Sequence, residues 1–223
     1  MKTCVLIPTY NESHKIARIL QEIKKQNLEV VIIDDGSSDN TAQIAKNNGA
    51  IVLRNETNQG KGASLSRGFN YSLESGYDAV ITMDGDGQHL PEDIPYFMRL
   101  AKYSDSGIVI GNRMQKTKNM PLERIITNKF MSWLISLIAK QTIPDSQCGF
   151  RLIKRGVLEK VRLSTTKYET ESEILIRGSR LGFKIESVPI KAIYMGEKSS
   201  INPLVDTVRF IKFILKELWT SRS

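Results

Sequence analysis

Residues 80–88 read Val-Ile-Thr-Met-Asp-Gly-Asp-Gly-Gln, and no other stretch of the chain says more about its chemistry. Asp84 and Asp86 stand two positions apart behind a short apolar, β-branched run, and Gln88 follows with an amide oxygen. A strand ending near residue 83 delivers both carboxylates at its carboxyl edge, where Gly85 and Gly87 let the backbone turn without a side-chain clash. Oxygen ligands gathered on such a turn suit a hard cation, Mg²⁺ or Mn²⁺, of the kind that bridges protein carboxylates to substrate phosphates. An isolated Asp-x-Asp is explained as well by a solvated turn, which favours the same residues. The rest of the chain decides between the two.

The elements that position these residues follow from periodicity. Val5-Leu6-Ile7 predicts a first strand, stopped by Pro8. Ile16, Ile19, Leu20 and Ile23 then recur at the spacing of one helical face, with Asn11 or Ser13 as cap. Val30–Ile33 predicts a second strand ending in Asp34-Asp35-Gly36-Ser37. Residues 39–48 predict a helix, 51–53 a strand, 61–75 a helix, 79–83 a strand, 92–102 a helix and 107–110 a fifth strand. Such alternation implies βαβ units and a mostly parallel, doubly wound sheet, whose ligands bind outside the carboxyl ends of the strands. The polar turns at residues 10–12, 34–36, 84–86 and 111–113 then share one edge. Beyond residue 115 the alternation fails: a long apolar helix at 121–140 is followed by the segment Asp145–Arg151, a helix near 170–181, a strand near 184–190 and a closing helix at 203–219.

Composition narrows the function classes. The 223 residues are 40% hydrophobic and 25% charged, as expected of a globular chain. Lys and Arg number 32 against 24 Asp and Glu, a formal charge of +8, which suits phosphorylated ligands or an anionic membrane face. Nucleic acid is disfavoured, since the basic residues are scattered without interleaved aromatics. Cys4 and Cys148 lack metal-ligand spacing and point to a reduced, cytoplasmic setting. No signal-peptide layout opens the chain, and the longest apolar run, Phe130–Ala139, is about half the ~20 residues of a membrane span. Gly60-Lys61-Gly62 is followed by Leu65, so the dinucleotide fingerprint is incomplete, and no P-loop occurs.

Five ordered motifs then carry a resemblance: Pro8-Thr9-Tyr10-Asn11-Glu12; Asp34 to Thr41; Asn58-Gln59-Gly60-Lys61-Gly62; Met83 to Gln88 with Pro91-Glu92; and Gly111-Asn112-Arg113 with Asp145 to Arg151. From about residue 3 to 190 the chain resembles family 2 glycosyltransferases of the Rossmann-like GT-A fold, and within them the dolichyl/polyprenyl-phosphate sugar synthase branch. The resemblance implies a GT-A domain over residues 1–195, with helices on both faces of the sheet, and a loop with an amphipathic helix over 196–223. It implies transfer of a sugar, with inversion, from a nucleoside-diphosphate-sugar to a polyprenyl phosphate, with Mg²⁺ or Mn²⁺ as cofactor. A hydroxyl acceptor on a glycan or lipid is the alternative, and a non-catalytic nucleotide-sugar-binding module a more distant one. By the same resemblance Pro8, Tyr10, Glu12, Ile33 and Asp35 hold the nucleoside, Gly85 lies against it, and Asp84, Asp86 and Gln88 handle metal and diphosphate. Arg113 and Arg124 clamp phosphates where donor meets acceptor, the geometry a guanidinium fork suits. The carboxyl-terminal part departs from the branch pattern, reading Tyr194-Met195-Gly196-Glu197-Lys198-Ser199-Ser200; Lys198 becomes the candidate acceptor-side cation. Asp145 is the only acid just before Cys148-Gly149-Phe150 and is the candidate general base if the acceptor is a hydroxyl.

Other residues have simpler readings. His14 and His89 are expected at the surface, Cys148 as a small packing residue, and Glu169, Glu171 and Glu173 as acids opening a helix. In the closing helix, Leu204, Val208, Ile211, Leu215 and Leu218 form an apolar stripe, while Arg209, Lys212 and Lys216 share another side. If that stripe packs on the domain, Phe210 and Phe213 are left exposed and, with Trp219 and a second apolar surface at Phe130–Ala139, offer a contact to an anionic membrane surface. The expected location is therefore peripheral, at the inner face of the membrane.

Overall fold

Short apolar runs become strands and amphipathic runs become helices in the order the periodicity implies. The computed structural model describes residues 1–115, 117, 120–191, 193 and 203–220, with the side chains of 208–219 in the last helix. The first half alternates: β1 (Thr3–Thr9), α1 (Ile16–Lys24), β2 (Glu29–Asp34), α2 (Thr41–Asn47), β3 (Ile51–Arg54), α3 (Lys61–Glu74), β4 (Ala79–Thr82), α4 (Ile94–Tyr103) and β5 (Ser106–Asn112). The second half contains α5 (Leu122–Ala139), β6 (Arg151–Lys154), α6 (Arg155–Lys160), α7 (Glu169–Arg180), β7 (Lys184–Pro189) and α8 (Pro203–Thr220).

The strands form one sheet in the order β3-β2-β1-β4-β6-β5-β7, parallel except for β6, which runs against both neighbours. Sequence periodicity did not separate β6 from the segment before it, because Arg-Leu-Ile-Lys is too short to show a period of its own. Its insertion has a consequence for the site. Thr82 and Ile110 both pair with Arg151, so the antiparallel strand begins at the edge where β4 and β5 end. The loop 145–150 is thereby brought to the carboxyl edge beside Asp84 and Arg113.

Apolar side chains fill both faces, as a largely parallel sheet requires. Leu6, Val31 and Ile33 point to one face and pack with Leu65 and Phe69 of α3, Ile135 of α5, Ile174 of α7 and Phe213 of α8. Val5, Ile7 and Ile32 point to the other and meet Ile16, Ile19, Leu20 and Ile23 of α1, Ala45 of α2 and Phe97 of α4.

The closing helix packs the other way round from the sequence expectation. Phe213 and Ile214 are buried and Phe210 is half-buried, whereas Val208, Ile211, Leu215, Leu218 and Trp219 face outward. Helical spacing offers α8 two apolar stripes, and a polar residue chooses between them. Glu217 is buried on the side of Phe213 and Ile214, where its carboxylate accepts from Arg177 at 2.8 Å and Arg180 at 2.5 Å, both on α7. Rotating α8 to bury the longer stripe would strand these charges. On α5, Leu122, Ile126, Phe130, Trp133 and Leu137 likewise form an exposed row. No helix among the described residues is long and apolar enough to cross a membrane.

Candidate active site

The acidic turn is built against the ends of β1 and β6. Met83 donates its N–H to the Leu6 carbonyl at 3.0 Å, and Thr82 Oγ1 donates to the Gly149 carbonyl at 2.7 Å. Within the turn, the Gln88 N–H donates to Asp86 Oδ1 at 2.9 Å, and the Asp84 N–H donates to His89 Nδ1 at 3.2 Å. His89 is therefore not the solvated residue expected: it is buried and stacked on Phe150, with ring centroids 5.2 Å apart. Its imidazole shapes the turn from beneath. Burial depresses its proton affinity more than the nearby Asp84 and Asp86 carboxylates raise it.

Asp84 is held by a cation that sequence reasoning left without a role. Lys61 Nζ lies 2.5 Å from Asp84 Oδ1 and 2.9 Å from Glu171 Oε1, joining the first residue of α3, the end of β4 and the first turn of α7. Gly149 forms the floor of this cluster. A Cβ there would lie 2.8 Å from both Asp84 carboxylate oxygens and 2.9 Å from Glu171 Oε1, so only glycine fits. Burial opposes charge on Lys61, but Asp84 and Glu171 outweigh it and hold the ammonium well above the ordinary lysine range. Burial opposes charge on Asp84 too, and the adjacent ammonium again outweighs it, leaving Asp84 well below the usual carboxylate range. Asp86 moves the other way, its proton affinity raised by burial and then by the charge on Asp84.

The residues expected at the nucleoside gather beside this cluster. Tyr10 is exposed at the end of β1, and the Glu12 N–H is held by Thr41 Oγ1 at 2.8 Å. Gly85 lies against the end of β1, where a Cβ would meet Thr9 Cγ2 at 3.0 Å and the Pro8 carbonyl oxygen at 3.4 Å. Asp35 accepts from Asn55 Nδ2 at 2.7 Å, the Gln59 N–H at 3.0 Å and the Gly60 N–H at 2.8 Å, tying the loop before α3 to the sheet. Ile33 is fully buried in the core, so its backbone alone is available to a ligand.

At the opposite side, Arg113 and Asp145 form a forked pair. Arg113 Nε and Nη2 donate to the two Asp145 oxygens at 2.8 and 2.9 Å, and the Arg113 backbone N–H adds a bond at 3.0 Å. Asp145 is wholly buried and serves as an anchor for the guanidinium. Arg151 sets the loop that carries it: this buried guanidinium donates to the carbonyls of Cys148 and Ser146, each at 2.8 Å, and of Glu171 at 2.5 Å. Arg124 lies half-buried in the first turn of α5. Lys198 and the Gly196–Ser200 stretch lie outside the described residues. Cys148 is buried with its thiol pushed up to about 12 by burial, consistent with a packing role. Lys61, Glu171 and Arg151 had no individual signal in the sequence beyond the motifs around them.

Comparison with known proteins gives this edge its context. Residues 4–162 match the family described as Glycosyl transferase family 2. The chain belongs to that family. Among its relatives, a UDP-N-acetylglucosamine–dolichyl-phosphate N-acetylglucosaminyltransferase of Methanococcus voltae is 32% identical over 213 residues, covering 85% of each chain. An undecaprenyl-phosphate mannosyltransferase of Micrococcus luteus is 31% identical, covering 85% of this chain and 83% of its own. The fold matches glucosyl-3-phosphoglycerate synthase of Mycobacterium tuberculosis, solved with Mn²⁺, UDP-glucose and phosphoglyceric acid, at a TM-score of 0.77 with 19% identity over 97% of this chain and 79% of that one. This family 2 glycosyltransferase therefore has the GT-A architecture.

The metal expectation fits the turn in one specific sense. Among the described residues no three His, Cys, Asp or Glu side chains form a metal cluster. Asp86, whose proton affinity is raised by burial and then by the like charge of Asp84, is a carboxylate that a cation would relieve. One or two carboxylates, with the remaining ligands from water and phosphate, is the usual pattern for Mg²⁺ at phosphate-transfer sites.

Proposed function

We propose that this family 2 glycosyltransferase moves a sugar from a nucleoside-diphosphate-sugar to the phosphate of a polyprenyl phosphate, at an anionic membrane surface and with inversion. The observation that carries the choice of acceptor is the Arg113–Asp145 fork. A phosphate monoester has its second pKa near ~6 and is already a nucleophilic anion at neutral pH, whereas a hydroxyl needs a base to take its proton. Asp145 has both oxygens engaged by Arg113, which favours its holding a phosphate-binding guanidinium rigid over its accepting a proton. Arg124 and Lys198 are the further cations assigned to the acceptor phosphate.

On the donor side, Pro8, Tyr10, Glu12, Asp35 and Gly85 surround the nucleoside, with the Ile33 backbone beneath. Asp84, Asp86 and Gln88 hold Mg²⁺ or Mn²⁺ with the diphosphate. When bound, the ion supplies positive charge that stabilises the departing diphosphate. Asp86 and Gln88 orient that group, Gly149 keeps the floor open to Asp84, and Arg113 aligns the acceptor phosphate for attack on the opposite face of the anomeric carbon.

Membrane contact is assigned to the two helices that flank α7. The exposed rows Leu122, Ile126, Phe130, Trp133, Leu137 on α5 and Val208, Ile211, Leu215, Leu218, Trp219 on α8 belong to elements packed on the same face of the sheet. Arg209, Lys212 and Lys216 are exposed beside the second row, a pattern suited to anionic headgroups.

The deciding experiment supplies labelled UDP- and GDP-sugars with and without polyprenyl phosphate and follows label into the lipid phase. Transfer is expected only with polyprenyl phosphate, and it should be abolished by chelator and by Asp86→Ala. Glycosylation of hydroxyl acceptors with none of polyprenyl phosphate overturns the acceptor; full activity in excess chelator overturns the metal.

A further inference from the structure

We propose that His89 is a positioning residue that fixes the acidic turn against the loop 145–150, and so sets the separation between the donor diphosphate and the acceptor phosphate. The inference rests on the placement of donor and acceptor proposed above.

The turn has little stiffness of its own. Gly85 and Gly87 flank Asp86, and Gly87 has a φ of +76°. Contacts from outside must therefore hold it. Its ends are secured by the backbone: the Met83 N–H donates to the Leu6 carbonyl at 3.0 Å, and the Gln88 carbonyl accepts the Ile193 N–H at 3.1 Å. At the first carboxylate the anchor is a side chain, since the Asp84 N–H donates to His89 Nδ1 at 3.2 Å. That bond makes Nδ1 the acceptor and leaves the ring proton on Nε2, which lies 4.0 Å from Cys148 Sγ.

The face of the same ring meets the other loop. His89 stacks on Phe150 with centroids 5.2 Å apart, and Phe150 lies against Phe97 of α4 at 4.4 Å. All three rings are buried, so the column is rooted in the core and not in either loop. Cys148 and Phe150 bracket Gly149, the floor beneath Asp84, and Asp145 stands three residues before Cys148 with Arg113 in its grip. Thr82 Oγ1 also reaches the Gly149 carbonyl at 2.7 Å, but it ties the loop to the end of β4, short of the turn. One imidazole thus holds the donor side by its edge nitrogen and the acceptor side by its face. Attack at the anomeric carbon needs reacting atoms about 3–3.5 Å apart, and a misplacement of about 1 Å can cost on the order of 10²-fold.

The two contacts can be removed one at a time. His89→Phe keeps a ring on Phe150 and strands the Asp84 N–H. His89→Asn keeps an acceptor near the Nδ1 position and loses the ring, and Phe150→Leu removes the stack from the other side. Binding of UDP and GDP with Mn²⁺ is measured by calorimetry without acceptor, followed by kcat and KM for polyprenyl phosphate and by a melt. His89→Phe should weaken nucleotide binding about tenfold, the scale of a stranded buried donor, with KM for polyprenyl phosphate near wild type. His89→Asn and Phe150→Leu should bind nucleotide as wild type does and raise KM for polyprenyl phosphate about tenfold. Phe150→Leu carries the acceptor arm if His89→Asn fails to fold. A parallel loss of every parameter in step with the melting temperature makes His89 a core residue only and overturns the inference, as does wild-type behaviour in all three variants. If wild type uses a hydroxyl acceptor instead, the acceptor reading falls alone, and the same split is expected with that acceptor. Absence of nucleotide binding by every form overturns the reading of the site and this inference with it.

Discussion

Asp145→Asn separates an anchor from a proton acceptor. In the structure Asp145 accepts the Arg113 backbone N–H at 3.0 Å and Nε at 2.8 Å on one oxygen, and Nη2 at 2.9 Å on the other. An asparagine can keep the first two bonds with its carbonyl oxygen. Its NH₂ then faces Arg113 Nη2, so one charge-assisted bond is lost and two donors oppose each other. Losing a hydrogen bond to a charged group costs about 1.5–3 kcal/mol. If that loss falls on the orientation of Arg113 in the transition state, kcat/KM with polyprenyl phosphate drops roughly 10- to 150-fold, at 1.4 kcal/mol per factor of ten. Thermal stability falls as well, since Asp145 is wholly buried; at about 2–4 °C per kcal/mol for a chain of this size, the melting temperature should drop by several degrees. The assay is kcat/KM across pH 5.5–9, alongside a melt. A positioning loss lowers the whole profile without changing its shape, and Arg113→Ala should be the more damaging substitution. Disappearance of an ascending limb in Asp145→Asn, with the melting temperature unchanged, would refute the anchor and make Asp145 the base.

Gly149→Ala places a carbon 2.8 Å from the Asp84 oxygens, and it should lower transfer at least about tenfold while circular dichroism stays native; wild-type turnover would show that the floor yields. Liposome flotation should be lost in Trp133→Glu with Leu215→Glu, weaken with salt and require anionic lipid, whereas Phe213→Glu should lower stability instead. Binding undiminished in the paired variant would clear these rows of membrane contact. Glu173 supplies a pH test. Burial opposes its charge, but donors from Thr165 and Ser164 outweigh it and lower its proton affinity in the folded state. Its contribution to stability is thus complete above the unfolded carboxyl value, about 4.3, and is lost as pH falls through the folded value. Urea midpoints between pH 6 and 3 should fall less steeply in Glu173→Gln than in wild type; parallel curves would exclude it.

How much of this was legible in the chain depends on the range of each signal. The order of the first five strands, the shared edge of turns 10–12, 34–36, 84–86 and 111–113, and the acidic turn itself all follow from neighbouring residues: β-branched runs, helical spacing, glycines behind carboxylates. These are local preferences, and the buried sheet satisfies them without conflict. The closing helix shows where such preferences stop. Its spacing allowed either apolar stripe to pack, and Glu217, meeting Arg177 and Arg180 on another helix, selected Phe213 and Ile214 over the longer stripe. The active site divides along the same line. The sequence determined that Asp84, Asp86 and Arg113 reach one edge, because strand ends in a parallel sheet leave them nowhere else. Only the tertiary structure decided their partners. Lys61 and Glu171 meet Asp84, and Asp145 meets Arg113, because an antiparallel β6 carries the loop 145–150 to that edge and α7 begins beside it. A buried charge must find its opposite, yet which distant residue answers it is fixed by chain topology, and no local pattern encodes that.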